Sequence, residues 1–327
     1  VKSAIENYGM FLSKRNRVPG AYGVVVFLLA VTGFLATAGL PVLGYLSAAE
    51  IDRQLVDQEW LAGELGRPDL VLLDTRPRDA YLKQHIKGAA NLPVRDTFGE
   101  DPRSDLAAPI SRIQALFSAA GIDQLTRVVL YDDGDMINAA RVFWILEMHG
   151  HRRVSLLSPG FREWIAAGLP ADAQLVTPPP RRFLSHVTPD RLAPKLSTRL
   201  AIDDPDTVII DARKREEYLG VESKSKRYGH IPTAISIPYE ENFTGDGKTL
   251  RPFAELQEVY RRVPRNKKVI AYCNKGRHSA LTYFILRQLG YDVSAYDGSW
   301  FEWSNDLQLP IERHARVKPV SSGPVSD

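Results

Sequence analysis

The stretch KKVIAYCNKGRHSALTYFILRQLG, residues 267–290, decides how the rest of the chain is read. Val269 to Tyr272 is apolar, partly β-branched and entered from a basic turn, which predicts a short buried strand. Leu281, Ile285, Leu286 and Leu289 fall on one face of a helix over 280–289, with Gly290 as its stop signal. Cys273, the only cysteine among 327 residues, sits where the strand gives way to the helix. A turn of this kind presents unpaired backbone N–H groups and the positive end of a helix dipole, a setting that favours a thiolate. Lys275, Arg277 and His278 bring positive charge to the same turn in this reading. Gly276 permits a tight loop whose amides turn inward. The bland alternative is a small buried hydrophobe, as most lone cysteines are. Polar and cationic residues directly after Cys273 suit a lined pocket better than a core.

Working outward, the stretch has an earlier counterpart. Val128-Val129-Leu130-Tyr131 parallels Val269-Ile270-Ala271-Tyr272, and Val71 through Arg76 parallels Val208 through Arg213. His85 to Pro93 parallels His230 to Pro238, and Gly160 to Trp164 parallels Gly298 to Trp303. The offset is roughly 140 residues, too long for a solenoid unit, so the chain is a duplicated domain. Each half alternates short β-branched runs with helical stretches, the pattern of a parallel sheet covered on both faces. Where the second copy has Cys273, the first has Asp132, followed by Asp133, Gly134 and Asp135; this reads as a solvated acidic turn. Pro178-Pro179-Pro180 marks a stiff, extended linker between the halves.

The stretch Cys273-Asn274-Lys275-Gly276-Arg277-His278-Ser279-Ala280 resembles the active-site loop of the rhodanese family of sulfurtransferases. Tyr296 through Trp303 resembles a second signature of that family, as do Asp211-Ala212-Arg213 and Gly229-His230-Ile231-Pro232 followed by Ile237-Pro238. The resemblance runs from about Asp52 to Glu312. It implies two tandem α/β domains, each a mostly parallel sheet flanked by helices: a catalytically silent one over 50–170 and a catalytic one over 199–315, joined by a linker over 171–198. It implies Cys273 as the nucleophile that carries sulfur as a persulfide, with Asn274, Lys275, Gly276, Arg277, His278 and Ser279 holding donor and persulfide. The donor would be a small anion such as thiosulfate, and the acceptor cyanide or a thiol; no cofactor or metal is required. Asp211 and Arg213 are expected to form a structural pair. Lys275 agrees with the thiosulfate-type loop. Glu217, however, precedes Tyr218 where such enzymes commonly carry an arginine, which leaves the donor open.

The rival chemistry is phosphoryl transfer, since cysteine phosphatases of similar fold have a loop of Cys, five residues and Arg. Counting from Cys273 puts Ser279 at that arginine position, and Arg277 comes two residues early. The loop is therefore sized for sulfur. A formal charge of +3 indicates no nucleic-acid partner.

Residues 18–49 carry no charge, and Lys14, Arg15 and Arg17 precede them. As a helix, residues 21–46 would be roughly 39 Å long, more than the ~30 Å a bilayer core requires. A transmembrane helix over 21–46 is expected, after a cytoplasmic segment over 1–20, with the rest exported to the periplasmic side in a Gram-negative host. The alternative is a long signal peptide with Ser47-Ala48-Ala49 at its cleavage site. An anchored chain could instead serve as an accessory subunit or persulfide carrier of a membrane complex. Residues 316–327 read as a disordered tail.

Overall fold

The computed structural model describes residues 54–313 apart from 246 and 248. The expectations for 1–20, for the transmembrane segment 21–46 and for the tail 316–327 lie outside the described residues. Among the described residues no helix is long and apolar enough to cross a membrane.

The strands are β1 (Leu55–Val56), β2 (Leu70–Asp74), β3 (His85–Ile86), β4 (Ala90–Asn91), β5 (Arg127–Tyr131), β6 (Val154–Leu157), β7 (Ala171–Asp172), β8 (Thr207–Asp211), β9 (Ile235–Ser236), β10 (Lys268–Tyr272) and β11 (Val293–Ala295). The first half builds a parallel sheet in the order β1-β6-β5-β2-β4, and the second builds one in the order β11-β10-β8-β9. The central strands β2, β5, β8 and β10 are apolar through their middle residues because helices cover both of their faces. Pairing sets Asp74 beside Tyr131 in the first sheet and Asp211 beside Tyr272 in the second. From β8 the chain moves to β9 on one side, and from β10 to β11 on the other. The gap beyond the carboxyl ends of β8 and β10 is thus the place where open α/β sheets leave room for a ligand.

The helix after Cys273 runs Arg277–Gln288, beginning a turn earlier than its apolar spacing predicted. Every residue from Ser279 to Leu286 is buried, where a single covered face was expected. The second face meets helix Ile137–Met148 of the first half. There Phe143 and Phe284 pack edge to face at 5.0 Å, and the Tyr283 hydroxyl donates to Glu147 at 2.6 Å. One apolar cluster extends through both halves from Leu73 to Ala295, and each large side chain fully buried in it contributes about 1.5–3 kcal/mol.

The segment expected as a linker contains β7, which pairs antiparallel with β3, and the start of helix Lys195–Leu200. Between them the triproline stretch is extended and lies on the first half. The Arg181 N–H donates to the Ser118 carbonyl at 2.9 Å, and Phe183 packs against Phe117.

Candidate active site

Cys273 directly follows β10 and is 1% exposed. Its Sγ accepts the Gly276 N–H at 3.1 Å and lies 3.5 Å from the Ser279 hydroxyl, which is placed to donate to it. Its own N–H donates to Ser299 Oγ at 3.2 Å, and its carbonyl accepts the Trp300 N–H at 2.9 Å. The turn closes because Gly276 adopts φ +91°, in the left-handed region. A side chain there has no room: a Cβ would lie 2.9 Å from Arg141 Nη1 and 3.0 Å from the Asp297 carbonyl. The Gly276 amide thus faces the sulfur, while the outer side of the loop is packed.

Asp211 and Arg213 lie beneath the loop as a fully buried pair, Nη2 to Oδ2 2.5 Å. The Tyr272 hydroxyl donates to the same carboxylate, and Arg213 also donates to the Gly229 carbonyl at 2.8 Å. The guanidinium lies 4.3 Å from the Trp300 ring centroid. Although burial works against its charge, Asp211 beside it keeps the Arg213 pKa above the ordinary value. The first half repeats this lock. Arg76 pairs with Asp74 at 2.6 Å, the Tyr131 hydroxyl donates to Asp74 at 2.8 Å, and Arg76 covers the Phe161 ring at 3.7 Å. Tyr81 stacks on His85 as Tyr218 stacks on His230, each pair at 3.8 Å. The same lock is thus present in the half without a cysteine. Trp300 and Trp303 are buried in the cluster beneath it.

A cavity of about 210 Å³ opens beside Cys273, lined by Asn274, Lys275, Arg277 and His278 together with Lys224 and Ser225 of the 220–229 loop and Asp105 of the first half. Lys275 Nζ lies 5.4 Å from the Phe301 ring centroid. Asn274 Nδ2 donates to Glu217 at 2.9 Å, so the residue standing in for the usual arginine braces the loop. His278 stacks on Tyr239 at 3.9 Å. Its pKa is pushed down to about 4 by burial, then by Arg277, Lys224 and Lys214. It is neutral at pH 7 and adds no charge, contrary to the expectation from composition.

Two residues of the site, Arg141 and Asp105, carry no signal in the sequence, and both meet Asp297 or the cysteine loop. Arg141, fully buried on helix Ile137–Met148, donates to the Gly276 carbonyl at 3.4 Å, to the Asp105 carbonyl at 2.6 Å and to Asp297 Oδ1 at 2.6 Å. Asp297 Oδ2 accepts the Ala107 N–H at 2.9 Å. Asp105 Oδ2 accepts from Arg277 Nε at 2.9 Å. Apart from the Arg141–Asp105 contact, which spans 36 residues, each of these spans more than 130, and all lie beyond the reach of any local pattern.

The Asp132 turn is not the solvated one that its composition predicts. Asp132 is 3% exposed. Its carboxylate accepts the N–H groups of Gly134 and Met136 at 3.0 Å and of Asn138 and Ala139 at 3.1 Å. Burial, followed by Asp135, pushes its pKa up to about 7 against the pull of these donors. Asp133 is the exposed member, reaching Arg76 at 3.3 Å.

Fold and site together define a tandem α/β protein with one thiol at a strand-to-helix turn. The rhodanese-like domain family matches residues 57–167 and again 195–306. Thiosulfate sulfurtransferase of Pseudomonas aeruginosa is 31% identical over 264 residues, 79% of this chain and 96% of that protein. The thiosulfate sulfurtransferase of Bos taurus is 30% identical over 276 residues, 77% of this chain and 92% of that protein. The crystal structure of SseA from Escherichia coli, described as a 3-mercaptopyruvate sulfotransferase, superposes with a TM-score of 0.69 at 25% identity, covering 76% of this chain and 99% of that one. The chain belongs to the rhodanese family of sulfurtransferases, in its tandem-domain form.

Proposed function

We propose that this protein moves sulfane sulfur from a small anionic donor, of which thiosulfate is the reference, to cyanide or a thiol through a persulfide on Cys273. The observation that carries the reading is Cys273 Sγ, held by the Gly276 N–H at 3.1 Å and facing a cavity lined by Lys224, Lys275 and Arg277. The Cys273 thiolate attacks the outer sulfur of thiosulfate. A new S–S bond forms, the old one breaks, and sulfite leaves with the electron pair. The acceptor then attacks the outer sulfur of the persulfide and frees the thiolate; with cyanide the product is thiocyanate. Dividing the transfer between two displacements is nucleophilic catalysis. Lys275 and Arg277 draw in the anion and stabilise the leaving charge, while Gly276 and Ser279 hold the sulfur. His278 and Asn274 shape the loop, and Asp211 and Arg213 support it from below. In this division of labour residues 199–315 catalyse and 50–170 carry no nucleophile. Mass spectrometry after thiosulfate treatment should find one added sulfur on the peptide containing Cys273; an unmodified peptide from active protein would refute the mechanism.

For location, the charge-free run over 18–49 behind a basic cluster supports a membrane anchor with both halves on the periplasmic side of a Gram-negative host. Carbonate should then fail to extract the protein. Protease added outside spheroplasts should digest the two halves, and full protection would reverse the orientation. A partner that co-purifies in mild detergent at fixed stoichiometry would instead favour the subunit or carrier role.

A further inference from the structure

Arg277 and Asp105 meet at the rim of the cysteine cavity, and they come from different halves of the molecule. Arg277 opens the catalytic helix, and its side chain is 45% exposed. Asp105 is almost fully buried on the loop after residue 98 of the first half. That loop is not free to drift. The Asp105 carbonyl is held by Arg141 at 2.6 Å, and the Ala107 N–H by Asp297 at 2.9 Å. The carboxylate is thus fixed 2.9 Å from Arg277 Nε, within the wall that also holds Cys273. Lys224, Lys275 and Arg277 are the cations of that wall and Asp105 is its carboxylate.

We propose that Asp105 is a specificity-determining residue supplied by the first half: by pairing with Arg277 it sets how strongly the pocket prefers a doubly charged sulfur donor over a singly charged one. The inference rests on the sulfurtransferase reading. A carboxylate beside the entering donor repels it in proportion to the donor's charge, so the penalty on a dianion is the square, as a rate factor, of that on a monoanion. A neutral residue of the same shape removes the penalty from both.

The test compares kcat/KM for thiosulfate, a dianion, and for 3-mercaptopyruvate, a monoanion, in wild type and Asp105→Asn. In a two-step transfer this constant reports the donor step alone. Asp105→Asn should raise it about tenfold for thiosulfate and about threefold for mercaptopyruvate at low salt, and the gain should shrink as ionic strength rises. Asp105→Glu keeps the charge and should leave the donor ratio within about twofold of wild type. Arg277→Gln should move the ratio the other way, which provides a second reading if Asp105→Asn folds poorly. An unchanged donor ratio in both Asp105→Asn and Arg277→Gln would overturn the proposal and leave Asp105 as a latch. A wild-type protein that takes sulfur from neither donor would overturn the function itself, a distinct result.

Discussion

The turns after β5 and β10 occupy equivalent places, and each wraps its donors around the side chain that follows the strand. After β5 that side chain is Asp132, whose two carboxylate oxygens take four N–H groups. After β10 it is Cys273, whose sulfur takes one N–H with the Ser279 hydroxyl close by. The first bowl is filled by a carboxyl group of the chain itself. The second offers donors to whatever sulfur species is attached to Cys273 and opens onto a cationic cavity. Duplication has thus separated two forms of one local structure, an internal cap and a thiol-bearing turn beside a cavity. The filled half still contributes Arg141 and Asp105 to the other, so absence of a nucleophile does not make it a spectator.

The comparison breaks most sharply at the nucleophile. Cys273→Ser should abolish sulfur transfer, at least ~10³-fold, with an unchanged unfolding transition, because a hydroxyl cannot carry a persulfide. Placing a cysteine in the first bowl of that variant, as Cys273→Ser with Asp132→Cys, should restore nothing. Activity in the double variant, read as thiocyanate formation, would show that the bowls are interchangeable.

Next in size is the strut between the halves. Arg141→Met removes a buried cation from Asp297 and the support beneath Gly276, and should cost about 3–5 kcal/mol of stability. Transfer should fall about 10–100-fold, since small displacements of reacting groups are expensive. Denaturant unfolding and kcat/KM on the folded fraction check the two effects separately. Wild-type transfer from the folded variant would confine Arg141 to stability.

Asp132→Asn should change transfer by no more than about threefold, since four local N–H partners and no substrate surround the group. Its signature should lie in pH. The folded pKa of Asp132 is raised from 3.8 to about 7. The native state therefore binds this proton more tightly than the unfolded chain does. The resulting stability is present below pH 3.8 and is lost as pH rises through 7. Unfolding measured between pH 4 and 7 should show that loss in wild type and a flatter profile in Asp132→Asn.

The smallest effect concerns His278, which shares its turn with the nucleophile but carries no charge at neutral pH. Its pKa falls from 6.5 to about 4 on folding. Its contribution to stability is therefore present above pH 6.5 and is lost as pH falls towards 4. A transfer–pH profile of wild type should have no inflection near 6.5 that His278→Phe removes. Such an inflection would mean that the ring titrates in the active protein.

Several features of the site are legible without a structure because their causes are local. The repeat, the strand before Cys273, the Asp-x-Arg pairs and the glycine that closes the loop all show within a few residues, since alternation, helical spacing and turn chemistry act over that range. Where the reading failed, the reason was how the chain packs around a residue, whether from a distant element or from its own turn. The helix at Arg277–Gln288 reads as one-faced because helix Ile137–Met148, which covers its other face, lies far earlier in the chain. Asp132 reads as solvated because composition does not reveal that backbone donors enclose it. His278 reads as a cation because its burial is not a sequence property.

By itself, then, the sequence determined the tandem parallel-sheet architecture and the place of the one thiol at a strand-to-helix turn, both of which follow from short-range patterns of burial and backbone freedom. The tertiary structure alone decided what surrounds that sulfur. Packing helix Ile137–Met148 onto helix Arg277–Gln288 brings Arg141 beneath Gly276, and the loop it holds sets Asp105 against Arg277. Electrostatic contacts act through space at a few ångströms, whatever the number of residues between the partners.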